Sequence, residues 1–116
     1  MTILATLTNQ TIPSGTFTTA PQVVPANTIG ATLRMTRQNW PSAGVTISMH
    51  FSFDGGTTYP VTLPTFIAAW FDDGTGKHPL SDTVIGYGWS NNVPTHVKAQ
   101  TVSPSSFVST VTIEAL

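Results

Sequence analysis

The chain has 116 residues, a formal net charge of −1 and no cysteine, and only 8% of its residues are charged, against about 25% in a typical soluble domain. Its length predicts one domain, residues 1–116, that buries a core without disulfides or metals. Only 4 residues are Lys or Arg, so a basic surface for nucleic acid is not expected. No apolar run could cross a bilayer and no basic secretion signal begins the chain, so we expect a non-membrane protein made in the cytoplasm.

Hydroxyl side chains replace the missing charges. Thr occurs 21 times and Ser 10 times. Thr is β-branched and favours strands, so this composition already points to a β-protein whose surface polarity comes mainly from hydroxyls.

Alternation of apolar and polar residues predicts strands along the chain. The first clear run places Ile29, Ala31, Leu33 and Met35 on one face. The next covers residues 45–53 and is the most regular in the sequence. In the last run, residues 107–115, Ser109 interrupts an otherwise apolar face. Weaker alternation predicts short strands near residues 3–7, 59–63 and 96–100.

Turn residues separate these strands, at residues 13–15, 25–27, 39–44, 72–76, 86–92 and 103–105. They leave space for at most one helical turn, over residues 66–71. Many short strands with frequent turns predict an all-β fold, an antiparallel β-sandwich of immunoglobulin-like or jelly-roll type, with a small β-barrel as the alternative.

Residues 52–59 read Ser-Phe-Asp-Gly-Gly-Thr-Thr-Tyr and match the Asp-box pattern Ser-x-Asp-x-Gly-x-Thr-Trp except at the last position, Tyr59. Asp54 can accept hydrogen bonds from the turn, Gly55 and Gly56 can take positive φ, and Tyr59 can pack back on the strand. The motif repeats once per blade in propellers but occurs once here. We therefore interpret it as a structural hairpin turn and not as a sign of glycosidase activity.

No motif predicts catalysis, a metal site or a cofactor. The histidines, His50, His78 and His96, lack metal-ligand spacing. Residues 72–76 lack the ligand pattern of an EF-hand loop, and no Gly-x-Ser-x-Gly nucleophile turn is present. Carboxylate pairs for glycoside cleavage could come only from Asp54, Asp72, Asp73, Asp82 and Glu114. We expect a non-enzymatic protein, with a small hydrolase as a remote alternative.

Aromatic residues in or beside turns are either core residues or contact anchors. The apolar neighbours of Trp70 favour burial. Residues 86–92, Gly-Tyr-Gly-Trp-Ser-Asn-Asn, combine glycines, aromatics and amides, so Tyr87 and Trp89, with Asn91 and Asn92, are predicted interface residues, core packing being the alternative. Trp40, in another predicted turn, is a further interface candidate with the same alternative.

Trp40-Pro41 followed by residues 44–59 resembles short Thr-rich β-proteins in the structural modules of tailed bacteriophages. The resemblance implies a virion component, with a capsid decoration or cement protein as the favoured role and tail or baseplate as others. The expected partners are further copies of the chain, with a trimer favoured, and the major capsid protein or other virion proteins. The alternative function is a carbohydrate-binding module or a receptor-binding tail component that uses Tyr87 and Trp89 as a stacking platform.

Overall fold

The computed structural model describes residues 2–36, 40–67, 71–72, 77–78 and 83–116. In these residues the chain is all-β, as predicted. The strands are β1 Thr2–Ile12, β2 Gly15–Thr18, β3 Gln22–Val23, β4 Gly30–Met35, β5 Val45–Ser52, β6 Val61–Ile67, β7 Phe71–Asp72, β8 Lys77–His78, β9 Thr83–Gly88, β10 His96–Ser103 and β11 Phe107–Ala115.

Two antiparallel sheets make up the fold. The first has the strand order β1-β11-β4-β9, and the second has the order β2-β10-β5-β6, with β3 also paired to β10. Strands β7 and β8 pair only with each other within the described ranges. No strand pairing joins the first sheet to the second in the described part of the chain. The β-sandwich prediction is therefore confirmed over the closed barrel.

The core lies between the two sheets and follows the predicted alternation closely. Strand β5 buries Val45, Ile47, Met49 and Phe51 completely, and these residues face apolar side chains of β4 and β11. Strands β10 and β11 likewise bury every second residue, as the period-two pattern requires. Burial of these side chains stabilises the fold by about 1.5–3 kcal/mol each.

Ser109 does not interrupt the buried face of β11, contrary to the prediction. It is fully buried in phase with Phe107 and Val111. Its hydroxyl donates a hydrogen bond to the carbonyl oxygen of Thr36 at 3.1 Å, which compensates for the loss of water.

The first strand does not follow the simple alternation predicted for residues 3–7. Its pairing with β11 shifts between Ile3 and Ala5, and again between Leu7 and Gln10. The first shift places Ile3 opposite Glu114 and exposes it, while Leu7 packs against the core. Ile29 is also exposed, because it precedes β4 instead of belonging to it.

Two segments predicted as turns are partly strand. Gly15 begins β2, and Gly86 and Gly88 pair with Thr32 and Gly30 of β4. The two chains approach closely here, because a Cβ added to Gly30 would lie 2.8 Å from the carbonyl oxygen of Tyr87. Glycine is common in turns, but it also occurs in strands where two backbones approach closely, so the sequence alone does not distinguish the two cases.

The helical turn predicted over residues 66–71 is wrong at both ends. Phe66 and Ile67 continue β6 opposite Thr46 and Val45, and Phe71 begins β7. The long β5 ladder extends β6 past the point where local sequence favoured a turn. Residues 68–70, which include Trp70, and residues 73–76 of the loop weighed for calcium lie outside the described residues.

Candidate binding surfaces

The segment between β5 and β6 is organised by the carboxylate of Asp54. Its Oδ1 accepts hydrogen bonds from the Ser52 hydroxyl at 2.7 Å and from the backbone N–H groups of Thr58 at 2.9 Å and Thr57 at 3.2 Å. Its Oδ2 accepts one from the Thr58 hydroxyl at 2.6 Å. Gly55 and Gly56 have φ of 78° and 90°. The side chain thus holds together a loop of eight residues, longer than a tight hairpin turn.

These contacts set the ionisation of the loop. Hydrogen bonds, foremost those from Thr58, lower the pKa of Asp54 from 3.8 to about 2. Burial, and then the negative charge of Asp54, raise the pKa of Tyr59 above its ordinary value. The Tyr59 ring also lies 4.0 Å from the Lys98 ammonium nitrogen, a cation–π contact that fixes the loop to β10. Asp54 is therefore an ionised structural acceptor, which leaves it poorly suited to proton transfer near neutral pH.

An open cleft of about 850 Å³ lies at the end of the sandwich where β9 ends and β6 begins. We call it the aromatic cleft. Four of the five predicted interface residues, Tyr87, Trp89, Asn91 and Asn92, line it together. The other lining residues, which sequence reasoning did not single out as interface residues, are Ile29, Phe53, Pro60, Val61, Gly88 and Ser90.

The aromatic side chains of the cleft pack on the core of the sandwich. The rings of Tyr87 and Trp89 lie with their centroids 4.9 and 6.0 Å from that of Phe51, which is fully buried. The indole Nε1 of Trp89 donates a hydrogen bond to the carbonyl oxygen of Thr28 at 2.8 Å. Both rings are half-buried. One part of each ring packs on the core and another lines the cleft, and the interface role of both residues stays a prediction.

Trp40 is a core residue in the folded chain and not a surface anchor. It is 1% exposed, its ring centroid lies 5.1 Å from that of Phe107, and its Nε1 donates to the Thr36 carbonyl oxygen at 3.2 Å. It closes the core where the chain enters β5. The interface candidacy of Trp40 is therefore corrected, because a turn position in sequence does not tell whether the side chain points inward.

The outer face of the second sheet carries a second surface. Strand register sets Thr16, Val102, Thr46 and Phe66 side by side in one row across β2, β10, β5 and β6. The next row contains Thr18, Gln100, Ser48 and Pro64. None of these eight residues is charged, and we call them the uncharged face. Val102 is 48% exposed and Phe66 63% exposed, whereas Ser48 is buried. The exposed threonines Thr16, Thr18 and Thr46 add hydroxyls to this apolar area.

Charged side chains border these two rows and also occupy the other outer face. The next row of the second sheet contains Lys98 beside His50, and rows of the first sheet contain Arg34 beside Thr112, and Glu114 beside Thr32. Sequence composition showed that charge is scarce, but it could not show that two adjacent rows have none. The missing signal was strand order, because β2 and β10 are distant in sequence from the consecutive strands β5 and β6.

The histidines on the polar faces of the strands do not form a metal site within the described residues. The His50 Nε2 lies 2.8 Å from the Ser48 hydroxyl and its Nδ1 lies 3.3 Å from the Thr62 hydroxyl. Burial, followed by the charge of Lys98, lowers the pKa of His50, although a hydrogen bond with Gln100 opposes this shift. Among the described residues, no three His, Asp or Glu side chains cluster closely enough to hold a metal ion. The side chains of Asp72 and His78, and residues Asp73 and Asp82, lie outside the described part.

Comparison with known proteins adds no family assignment. No family model matches the chain, and no curated protein matches its sequence. The described ranges also contain no helix that is long and apolar enough to span a membrane.

Proposed function

We propose that the chain is a non-enzymatic structural protein of a bacteriophage particle, a capsid decoration protein that binds the shell as an oligomer. The observation that supports this proposal most directly is the uncharged face, with its exposed Phe66 and Val102. A contact made there buries apolar area and hydroxyls without removing ions from water, which is costly. The favoured oligomer is a trimer, and the shell partner is the major capsid protein.

Such a protein needs only binding energy. A subunit that binds the assembled shell but not its free parts stabilises the shell by mass action. Linked copies in an oligomer add avidity, because the second and third contacts become intramolecular. The ionised Asp54 and the engaged histidine His50 agree with a structural role.

A charge placed in the uncharged face tests the proposal. Thr46 is exposed and lies between Val102 and Phe66 in its row. Thr46→Lys is expected to weaken self-association and shell binding by at least about 30-fold, because the ammonium group would have to be desolvated in the contact. The matched control is Thr6→Lys, which introduces the same charge at an exposed threonine on the outer face of the first sheet.

Sedimentation velocity gives the oligomeric state, and co-sedimentation with capsids that lack the protein gives shell binding. A monomeric wild-type protein that does not bind capsids contradicts the proposal. Equal losses in Thr46→Lys and Thr6→Lys place the contact elsewhere.

A further inference from the structure

The lining of the aromatic cleft is neutral throughout. Its ten residues include no acidic or basic side chain. A ligand with a net charge would find no counter-charge there, whereas an uncharged ligand does not have to give up the hydration of an ion. Charge complementarity therefore selects a neutral occupant.

The aromatic rings of the cleft are held in place before a ligand binds. Tyr87 and Trp89 lie with their ring centroids 6.2 Å apart, and both rest on the buried Phe51. The hydrogen bond from the Trp89 indole to Thr28 fixes that ring further. Rings that are already held in place lose little conformational entropy when a ligand stacks on them.

Polar groups with both donors and acceptors border these rings. Asn91 and Asn92 are exposed, and within the described residues their amides have no hydrogen-bond partner in the protein. Each amide offers an N–H₂ donor and a carbonyl acceptor, and Ser90 adds a hydroxyl. Such groups match a ligand that presents several hydroxyls, each of which donates and accepts.

We propose that the aromatic cleft binds a neutral oligosaccharide. One face of a sugar ring is composed of C–H groups and stacks on Trp89 or Tyr87, while its hydroxyls bond to Asn91 and Asn92. The cleft volume of about 850 Å³ lies within the range of roughly 300–1,000 Å³ usual for small-ligand sites. This activity goes beyond the proposed shell contact and uses a different surface.

Titration calorimetry against two sets of sugars tests the inference. The neutral set is maltohexaose, cellohexaose, chitohexaose and mannohexaose, and the anionic set is oligoalginate and a heparin fragment. We expect binding of at least one neutral sugar, with an affinity that is the same at low and high salt, because screening affects only charged ligands. No binding of any neutral sugar at millimolar concentration, or tighter salt-dependent binding of an anionic one, overturns the proposal.

Variants assign the binding to the cleft. Trp89→Ala is expected to reduce affinity by about 30-fold or more, as for a buried interface aromatic. Because this change also removes a hydrogen bond to Thr28, the double variant Asn91→Ala/Asn92→Ala, at exposed positions, serves as the folded test, with an expected loss of about 10-fold. The matched control is Phe66→Ala, an exposed aromatic on the uncharged face.

Each pattern of results has one meaning. Loss of sugar binding in both cleft variants but not in Phe66→Ala supports the site. Unchanged sugar binding in the double variant, or a loss that Phe66→Ala shares, overturns it. If the cleft variants instead lose self-association or shell binding, the cleft holds a protein segment and the sugar proposal is wrong. These outcomes are independent of Thr46→Lys, so either proposal can fail while the other stands.

Discussion

Thr101 has a buried hydroxyl whose removal is expected to stabilise the protein. The residue lies on the inner side of β10, opposite Ile47 and Phe17 in the strand register, and is 3% exposed. Its Oγ1 is buried and has no hydrogen-bond partner within the described structure. Burying a hydroxyl without a partner costs roughly 1–3 kcal/mol in proteins. Thr101→Val keeps the shape of the side chain and replaces this oxygen with a methyl group.

We expect Thr101→Val to raise the free energy of unfolding by about 1–2 kcal/mol, the lower part of that range, because a small shift of neighbouring atoms already relieves part of the cost. For a chain of this size, each 1 kcal/mol corresponds to a rise in Tm of about 4 °C. The measurement is urea unfolding followed by circular dichroism, with the midpoint compared at an unchanged m value.

Thr19→Val is the matched control, because the same substitution there removes a hydroxyl that is used. Thr19 is also buried, and its Oγ1 accepts a hydrogen bond from the backbone N–H of Ala99 at 2.9 Å. The change leaves that N–H without a partner and is expected to cost about 1–3 kcal/mol. The two variants should move in opposite directions. A destabilised Thr101→Val, or a stabilised Thr19→Val, would refute the reasoning.

Four further predictions concern the loop, pH and the core. Gly56→Val should lower the free energy of unfolding by about 1–3 kcal/mol in denaturant, because Gly56 has a φ of 90°. Asp54→Ala should also lower the melting temperature. Unchanged melting of both variants would contradict the structural-turn interpretation. The pKa of Asp54 is about 2 in the folded chain, against an ordinary value of 3.8. The ionised carboxylate therefore contributes its full stabilisation of the fold above about pH 4, and this contribution is lost as pH falls towards 2. Asp54→Asn should reduce this dependence of stability on pH. The lowered pKa of His50 acts in the same direction: stability holds above pH 6.5 and declines below it, and His50→Gln should remove that decline. Trp40→Ala should cost about 3–5 kcal/mol, whereas Ile3→Ala, at an exposed site of the first sheet, should leave the unfolding midpoint nearly unchanged. Comparable losses in urea unfolding would contradict the placement of Trp40 in the core.

The sequence by itself determined the elements whose signals are local. Alternation over residues 45–51 identified β5 and its buried side, because successive side chains of a strand point to opposite faces. The sequence also predicted the turn at Asp54, Gly55 and Gly56, since the hydrogen-bond partners of the Asp54 carboxylate lie within four residues of it. The low charge and the many hydroxyls likewise follow from composition alone.

Tertiary structure decided everything that depends on which strands become neighbours. The pairing of β9 with β4 made Gly86 and Gly88 strand residues, and the packing of Trp40 on Phe107 turned a surface candidate into a core residue. The aromatic cleft joins the segment after β9 to the start of β6, and the uncharged face joins the consecutive strands β5 and β6 to β10 and β2, which are distant in sequence. Such surfaces arise from long-range pairing, whose partners a local pattern does not specify.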